Sequence, residues 1–157
     1  MLHLIREPVP EPDLSLPEVA MRIDRQKLSK RLWRGVADDG AGFGCELPSP
    51  LRDGDTIFQT PAARYVIRQQ PEAVLEIALD ITPPSAAAGI GWAIGNLHLE
   101  LSAETTRLLT PDDTATRRLL ARIGVPFRET TAVFRPGRFV RGPGPALARE
   151  LGPSHQH

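Results

Sequence analysis

The chain of 157 residues holds four histidines, His3, His98, His155 and His157, and only His98 stands away from the ends, inside "GWAIGNLHLEL" at residues 91–101. An imidazole offers one nitrogen lone pair to a proton or a metal, so a lone histidine makes neither a catalytic pair nor a complete metal shell. Symmetry changes that count. A two-fold dimer whose axis passes near His98 brings two imidazoles together from one sequence position. His155 and His157, one residue apart in the terminal "SHQH", would complete the shell. Nitrogen ligands without thiolates or clustered carboxylates suit Ni²⁺, Zn²⁺ and Cu²⁺, and the ligand set alone does not choose among them. The plain alternatives are a histidine satisfied at a surface or interface, and a polar chain end.

Other chemistry has little to stand on. The sequence contains no G-x-S-x-G, Walker loop, H-E-x-x-H or C-x-x-C, and no cysteine close to a histidine. The expectation is a protein that is not an enzyme. Glu100 and Glu104 have helical spacing but read as a solvated strand and the turn after it. Cys45 is the only cysteine, so no intramolecular disulfide forms; it fits a reducing compartment and fills space beside Phe43. Nineteen cations balance nineteen acids, which gives no general field to attract nucleic acid or an anionic membrane. Aromatic residues make up 5%, too sparse for an RNA-stacking sheet face. No run of about 18 apolar residues spans a membrane, and "REPVPEPDLSLPEV" is no signal peptide. A cytoplasmic address follows as the expectation.

The elements that must position these residues fall into two groups. Residues 7–18 carry four prolines and four acids, an extended and poorly packed lead-in, and Arg22 to Arg34 sets six cations against one acid, a solvated strand edge. "KLSKRLWRGV" has helical spacing at Leu28, Leu32 and Val36, but Trp33, Gly35 and the following "DDGAGFG" favour a strand entering a hairpin. Asp53-Gly54 and Thr60-Pro61 mark turns around strands at Thr56 to Phe58 and Tyr65 to Ile67. These short strands predict a small antiparallel β domain over residues 1–71.

From residue 72 the pattern changes. "AVLEIALDI" is a strand; "TPPSAAAGIGWAIGN" is a helix capped by Thr82, with Ala86, Ile90 and Ile94 on one face, and closed by Gly95. "LHLEL" alternates as a strand that aims His98 and Glu100 to its polar side. "TTRLLT" is another strand. "TPDDTATRRLLARIG" is a helix with Thr110 as cap, Pro111 at its first position, an apolar stripe of Ala115, Leu119, Leu120 and Ile123, and Gly124 as stop. A last strand lies in "VPFRETTAVF". The order β-α-β-β-α-β predicts an α+β chain whose C-terminal domain, residues 72–140, is ferredoxin-like, followed by a Pro- and Gly-rich tail over 141–157.

Three stretches, "LRDGDTIFQTPAARYVIRQQPEAVLEI", "AIGNLH" and "PDDTATRRLLARIGVPFRETTAVFRPGR", together resemble the urease accessory protein UreE, a family of nickel metallochaperones. The likeness runs over residues 22–138. It implies an N-terminal β domain of the partner- or peptide-binding type, dimerisation through the ferredoxin-like domain, and delivery of nickel to apo-urease with the GTPase UreG as partner. The histidine that ends the family's G-N-R-H motif falls on His98, and tail histidines, here His155 and His157, add metal capacity. Where the family's motif commonly reads Y-H-L-G-N-R-H, this chain has Ala93 in place of the upstream histidine and Leu97 in place of the arginine. That departure opens a second expectation: a UreE-like dimeric scaffold for the GTPase with weakened or lost metal binding. For a carrier, each ~1.4 kcal/mol of extra affinity costs tenfold in transfer to the acceptor. Fixed imidazoles plus tail ligands permit stepwise exchange, with protons competing for the same lone pairs as pH falls.

Overall fold

The computed structural model describes residues 2–137; His155, His157 and the whole 141–157 tail lie outside the described residues. The chain divides into two compact units, Met1–Gln70 and one that begins at Pro71.

The first unit has two three-stranded sheets. One runs β1-β4-β3, from β1 (Leu2–Ile5), β3 (Leu32–Val36) and β4 (Gly42–Glu46); the other runs β2-β6-β5, from β2 (Glu18–Ile23), β5 (Thr56–Gln59) and β6 (Arg64–Gln69). The sheets share one core, where Ile5, Trp33, Phe43 and Cys45 from the first meet Met21, Ile23, Ile57 and Ile67 from the second. Their approach is close. A Cβ at Gly35 would lie 2.5 Å from Met21 Cε, so a side chain there would push the Met21 methyl aside. Neither sheet is purely antiparallel, because β1 pairs with β4 and β2 with β6 in parallel. Short strands at close spacing suggested hairpins throughout; parallel partners are distant in sequence and leave no local turn signal.

Two expectations for this unit change. The acidic lead-in is extended but well tied down: Val9 N–H donates to the Thr56 carbonyl at 2.7 Å, Asp13 N–H to Gln59 Oε1 at 2.9 Å, and the Pro17 carbonyl accepts from Arg64 N–H at 2.9 Å. Prolines hold it extended, and neighbouring strand ends satisfy its backbone. The basic run is no continuous strand edge either. It contains a one-turn helix, α1 (Arg25–Leu28), capped by Asp24, whose carboxylate accepts from Lys27 N–H at 2.7 Å.

In the second unit four strands, β7 (Glu72–Ala78), β8 (Ser102–Ala103), β9 (Arg107–Pro111) and β10 (Arg128–Ala132), lie in the order β10-β7-β9-β8, every pair antiparallel. Helices α2 (Pro84–Asn96) and α3 (Thr114–Arg122) make the crossovers. Leu75, Ile77 and Leu108 of the sheet bury against Ile90 and Ile94 of α2 and Leu119 and Leu120 of α3. On the opposite face Val74 and Leu109 are covered by Phe134, which lies just past β10 and is fully buried. That cover continues to Gly137, whose N–H donates to the Leu101 carbonyl at 2.8 Å.

The local boundaries differ from expectation. Helix α2 does not stop at Gly95; it runs to Asn96, and "LHLEL" is turn and coil rather than strand, with β8 starting only at Ser102. Thr82 is no cap: its hydroxyl donates to the Ala78 carbonyl at 2.6 Å, and Pro83 holds the cap position without a side-chain bond. Thr110 and Pro111 belong to β9, and α3 is capped by Asp113, whose carboxylate accepts from Thr116 N–H at 2.8 Å. The inner faces are narrower than the expected stripes, since Ala86, Ala115 and Ile123 are exposed.

Candidate metal centre

His98 is placed by the way α2 ends. The helix closes through Leu97, and His98 follows in the left-handed region with φ 55°. Its N–H donates to the Gly95 carbonyl at 2.9 Å, and the next N–H, of Leu99, reaches back to the Ile94 carbonyl at 3.1 Å. This pair of bonds is the Schellman closure, which satisfies two carbonyls the helix would otherwise leave unpaired. Leu99 also packs in the core cluster that contains Ile94, the apolar contact that accompanies such an ending.

Helix α3 ends the same way, with a glycine in the same role. Gly124 has φ 68°, its N–H donates to the Ala121 carbonyl at 3.2 Å, and Val125 N–H donates to the Leu120 carbonyl at 3.0 Å. "LARIGV" and "IGNLHL" thus match, with apolar residues at the first, fourth and sixth places. That repeated pattern is the signal in the sequence that locates His98 on a helix end. A β-carbon in this region costs about 1 kcal/mol relative to glycine. His98 therefore stands where the backbone alone prefers another residue.

The His98 side chain is exposed and has no hydrogen bond or ion pair among the described residues, so both ring nitrogens face solvent. The backbone bonds of the helix end and the Leu99 anchor, rather than a sheet, fix where the residue stands. Apolar side chains are exposed along α2 and at its two ends: Trp92 is 71% exposed, Ile81, just before the helix, 73%, and Leu97, just after it, 46%. A groove of about 540 Å³ runs along it, with Ile81, Ile90, Trp92, Ala93 and Val125 among its lining. Ala93, at the place of the upstream histidine, supplies only a methyl group to it.

Several other carboxylates of the second unit are engaged in ion pairs. Glu104 accepts from Arg107 at 2.6 Å, and Glu76 from Arg107 at 2.9 Å and Arg128 at 2.7 Å. These guanidinium bonds, Arg107 first, hold the Glu76 carboxyl below the usual carboxylate range. Asp112 is likewise held low by Arg117, which it meets at 2.6 Å. Glu100 and Glu104 do not converge on a common point of chemistry, since Glu104 is committed to Arg107. In the first unit Cys45 is buried, and burial pushes its thiol up to about 11, which leaves it protonated and a poor ligand. His3 packs on Phe58 and Phe43, with ring centroids 4.6 and 5.3 Å away. Among the described residues no group of three or more His, Cys, Asp or Glu could hold a metal ion. Among the described residues His98 is an exposed imidazole without a side-chain partner.

The family model for the UreE urease accessory protein, C-terminal domain, matches residues 72–157. The chain belongs to the UreE family. It is similar to the urease accessory protein UreE of Deinococcus radiodurans, 32% identical over 78% of this chain and 76% of that protein. It also resembles the UreE of Nitrosococcus oceani, 28% identical over 81% of this chain and 75% of the relative. With the UreE of Bifidobacterium longum subsp. infantis the identity is 32% over 60% of this chain, but the match spans only 42% of that longer protein. UreE proteins are accessory proteins of urease, not enzymes, which agrees with the absence of any catalytic motif in the sequence. No helix among the described residues is long and apolar enough to cross a membrane.

Proposed function

We propose that this UreE chain is a homodimeric nickel carrier for urease maturation, in which His98 of two chains meets at the dimer axis and grips one Ni²⁺ between them. The observation that carries this reading is His98 itself: an exposed imidazole without a partner, carried on a left-handed helix end, in a family of urease accessory proteins. Strain of this kind persists where function maintains it.

Two features support the arrangement. The exposed apolar side chains of Trp92 on α2 and of Ile81 just before it call for cover, and a second copy of the ferredoxin-like domain over residues 72–140 supplies it. The Gly137–Leu101 bond brings the chain back to the loop that starts at His98. From there His155 is eighteen residues on, a contour of about 60 Å, enough for His155 and His157 to join the shell. The same ligands accept Zn²⁺ or Cu²⁺. The dimer works in the cytoplasm, where it passes nickel to the apo-urease accessory complex with the GTPase UreG. In this division of labour the second unit holds the ion and dimerises, and the first makes partner contacts.

Calorimetric titration of Ni²⁺ into the protein and into His98→Ala tests this. The expected result is about one tight ion per dimer for the native chain and loss of that site in the variant. Equal affinity and stoichiometry in both would remove His98 as the central ligand. Ala93 and Leu97 favour one competing reading, a dimeric scaffold for the GTPase with weakened metal binding. Normal GTPase binding without nickel uptake at neutral pH would select it.

A further inference from the structure

The outer face of the β1-β4-β3 sheet carries most of the first unit's exposed apolar side chains. Leu2 is 52% exposed, Leu4 56%, Leu32 75% and Val36 62%. Strand register places them in order: Leu2 and Val36 flank Gly42, while Leu4 and Arg34 flank Gly44. Leu32 lies opposite Glu46. The inner face of the same strands, with Ile5, Trp33, Phe43 and Cys45, is the buried core. Alternation therefore predicts a polar outer face, and the sequence departs from that on both edge strands.

Glycines in the middle strand shape this face. The flanking rows stand about 10 Å apart across β4. Leu2 leans inward until its Cδ2 is 3.4 Å from where a Gly44 Cβ would be. The result is a flat apolar strip, wide enough for one row of side chains from a docked segment. Its charge is one-sided. The ion pairs of this unit engage Arg22, Arg64 and Arg68. Lys30, Arg31 and Arg34 are exposed on or just before β3 and have no ion pair among the described residues. Glu46 is the one acid on the strip.

From this geometry we infer that the outer face of β1-β4-β3 docks a polypeptide segment of a partner protein that presents a row of apolar side chains flanked by carboxylates. This rests on the partner-contact role given above to the first unit and names its surface and chemistry. Complementary charge steers such a segment and fixes its register, while the leucines and Val36 bury its apolar row. Other occupants fit less well. A second copy would bring the same cations with Glu46 as its single acid, too few carboxylates to match them. An anionic bilayer would trap Glu46 against like charge, and nucleic acid finds no ring to stack on, since Trp33 and Phe43 point inward.

Fluorescence anisotropy with a labelled peptide of alternating leucine and glutamate, and a second of leucine and lysine, tests this on the full chain. The native protein should bind the glutamate peptide and weaken with salt. Leu4→Ser with Val36→Ser should weaken it about tenfold, the loss expected when anchors near the centre of an interface are removed. Arg31→Glu with Arg34→Glu should switch the preference to the lysine peptide. Equal affinity for both peptides, indifference to these substitutions, or retention only on phosphatidylserine vesicles would each overturn the inference. Nickel titration of the same variants keeps the two readings apart: uptake should stay native, because His98 lies in the other unit.

Discussion

His98 adopts at a helix end the conformation that Gly124 adopts at the other helix end of the same unit. The two positions form an internal control for the weight of function against stability. His98→Gly should raise the unfolding free energy by about 1 kcal/mol, because the left-handed backbone is then unstrained. The same substitution should abolish the tight nickel site as thoroughly as alanine does. Gly124→Ala should lower stability by about the same amount, and through φ alone, since a Cβ there meets nothing within 4 Å. Urea unfolding followed by circular dichroism measures all three. A destabilised His98→Gly would mean that the imidazole makes packing contacts worth more than the strain, and that its place is structural.

At the scale of elements, the start of α3 is set by a side chain about one turn after the place where the residue pattern points. Thr110-Pro111 has the composition of a helix start, yet Thr110 is fully buried in β9, where its hydroxyl donates to the Glu100 carbonyl at 3.0 Å. The cap falls to Asp113. Asp113→Ala should therefore destabilise the protein by about 1 kcal/mol, and Asp113→Asn should keep most of that stability, because an amide oxygen can still accept from Thr116. Thermal unfolding of the two variants checks this; equal midpoints would mean that the cap carries little of the helix's stability. "LHLEL" shows the matching difficulty at a helix end. Five alternating residues suit a strand, but they suit equally well a closing turn that returns Leu99 to Ile94. The choice depends on core space that the segment itself does not contain. After residue 72 the order of elements was legible but their ends were not, since hydrogen bonds to distant chain decide them, and in the first unit β1, β2 and α1 were missed.

For the whole molecule, the two proposals fall on two surfaces, the apolar side chains along α2 and the outer face of the first unit's sheet. On the proposed dimer, Trp92→Asp should leave a monomer in sedimentation velocity and lower nickel stoichiometry with it, because a charge in an apolar interface is left without a partner. A dimer that survives this change would place the interface elsewhere. The order of strands and helices after residue 72, the two groups of elements and the singular histidine could all be read from the chain, since periodicity and turn residues are local properties. Parallel pairing in the first unit, the Phe134 cover of the second sheet face, the return of Gly137 to Leu101 and the strained, solvent-facing stance of His98 required the folded chain. Each joins residues whose separation along the sequence carries no local signal, so only the packed arrangement could decide them.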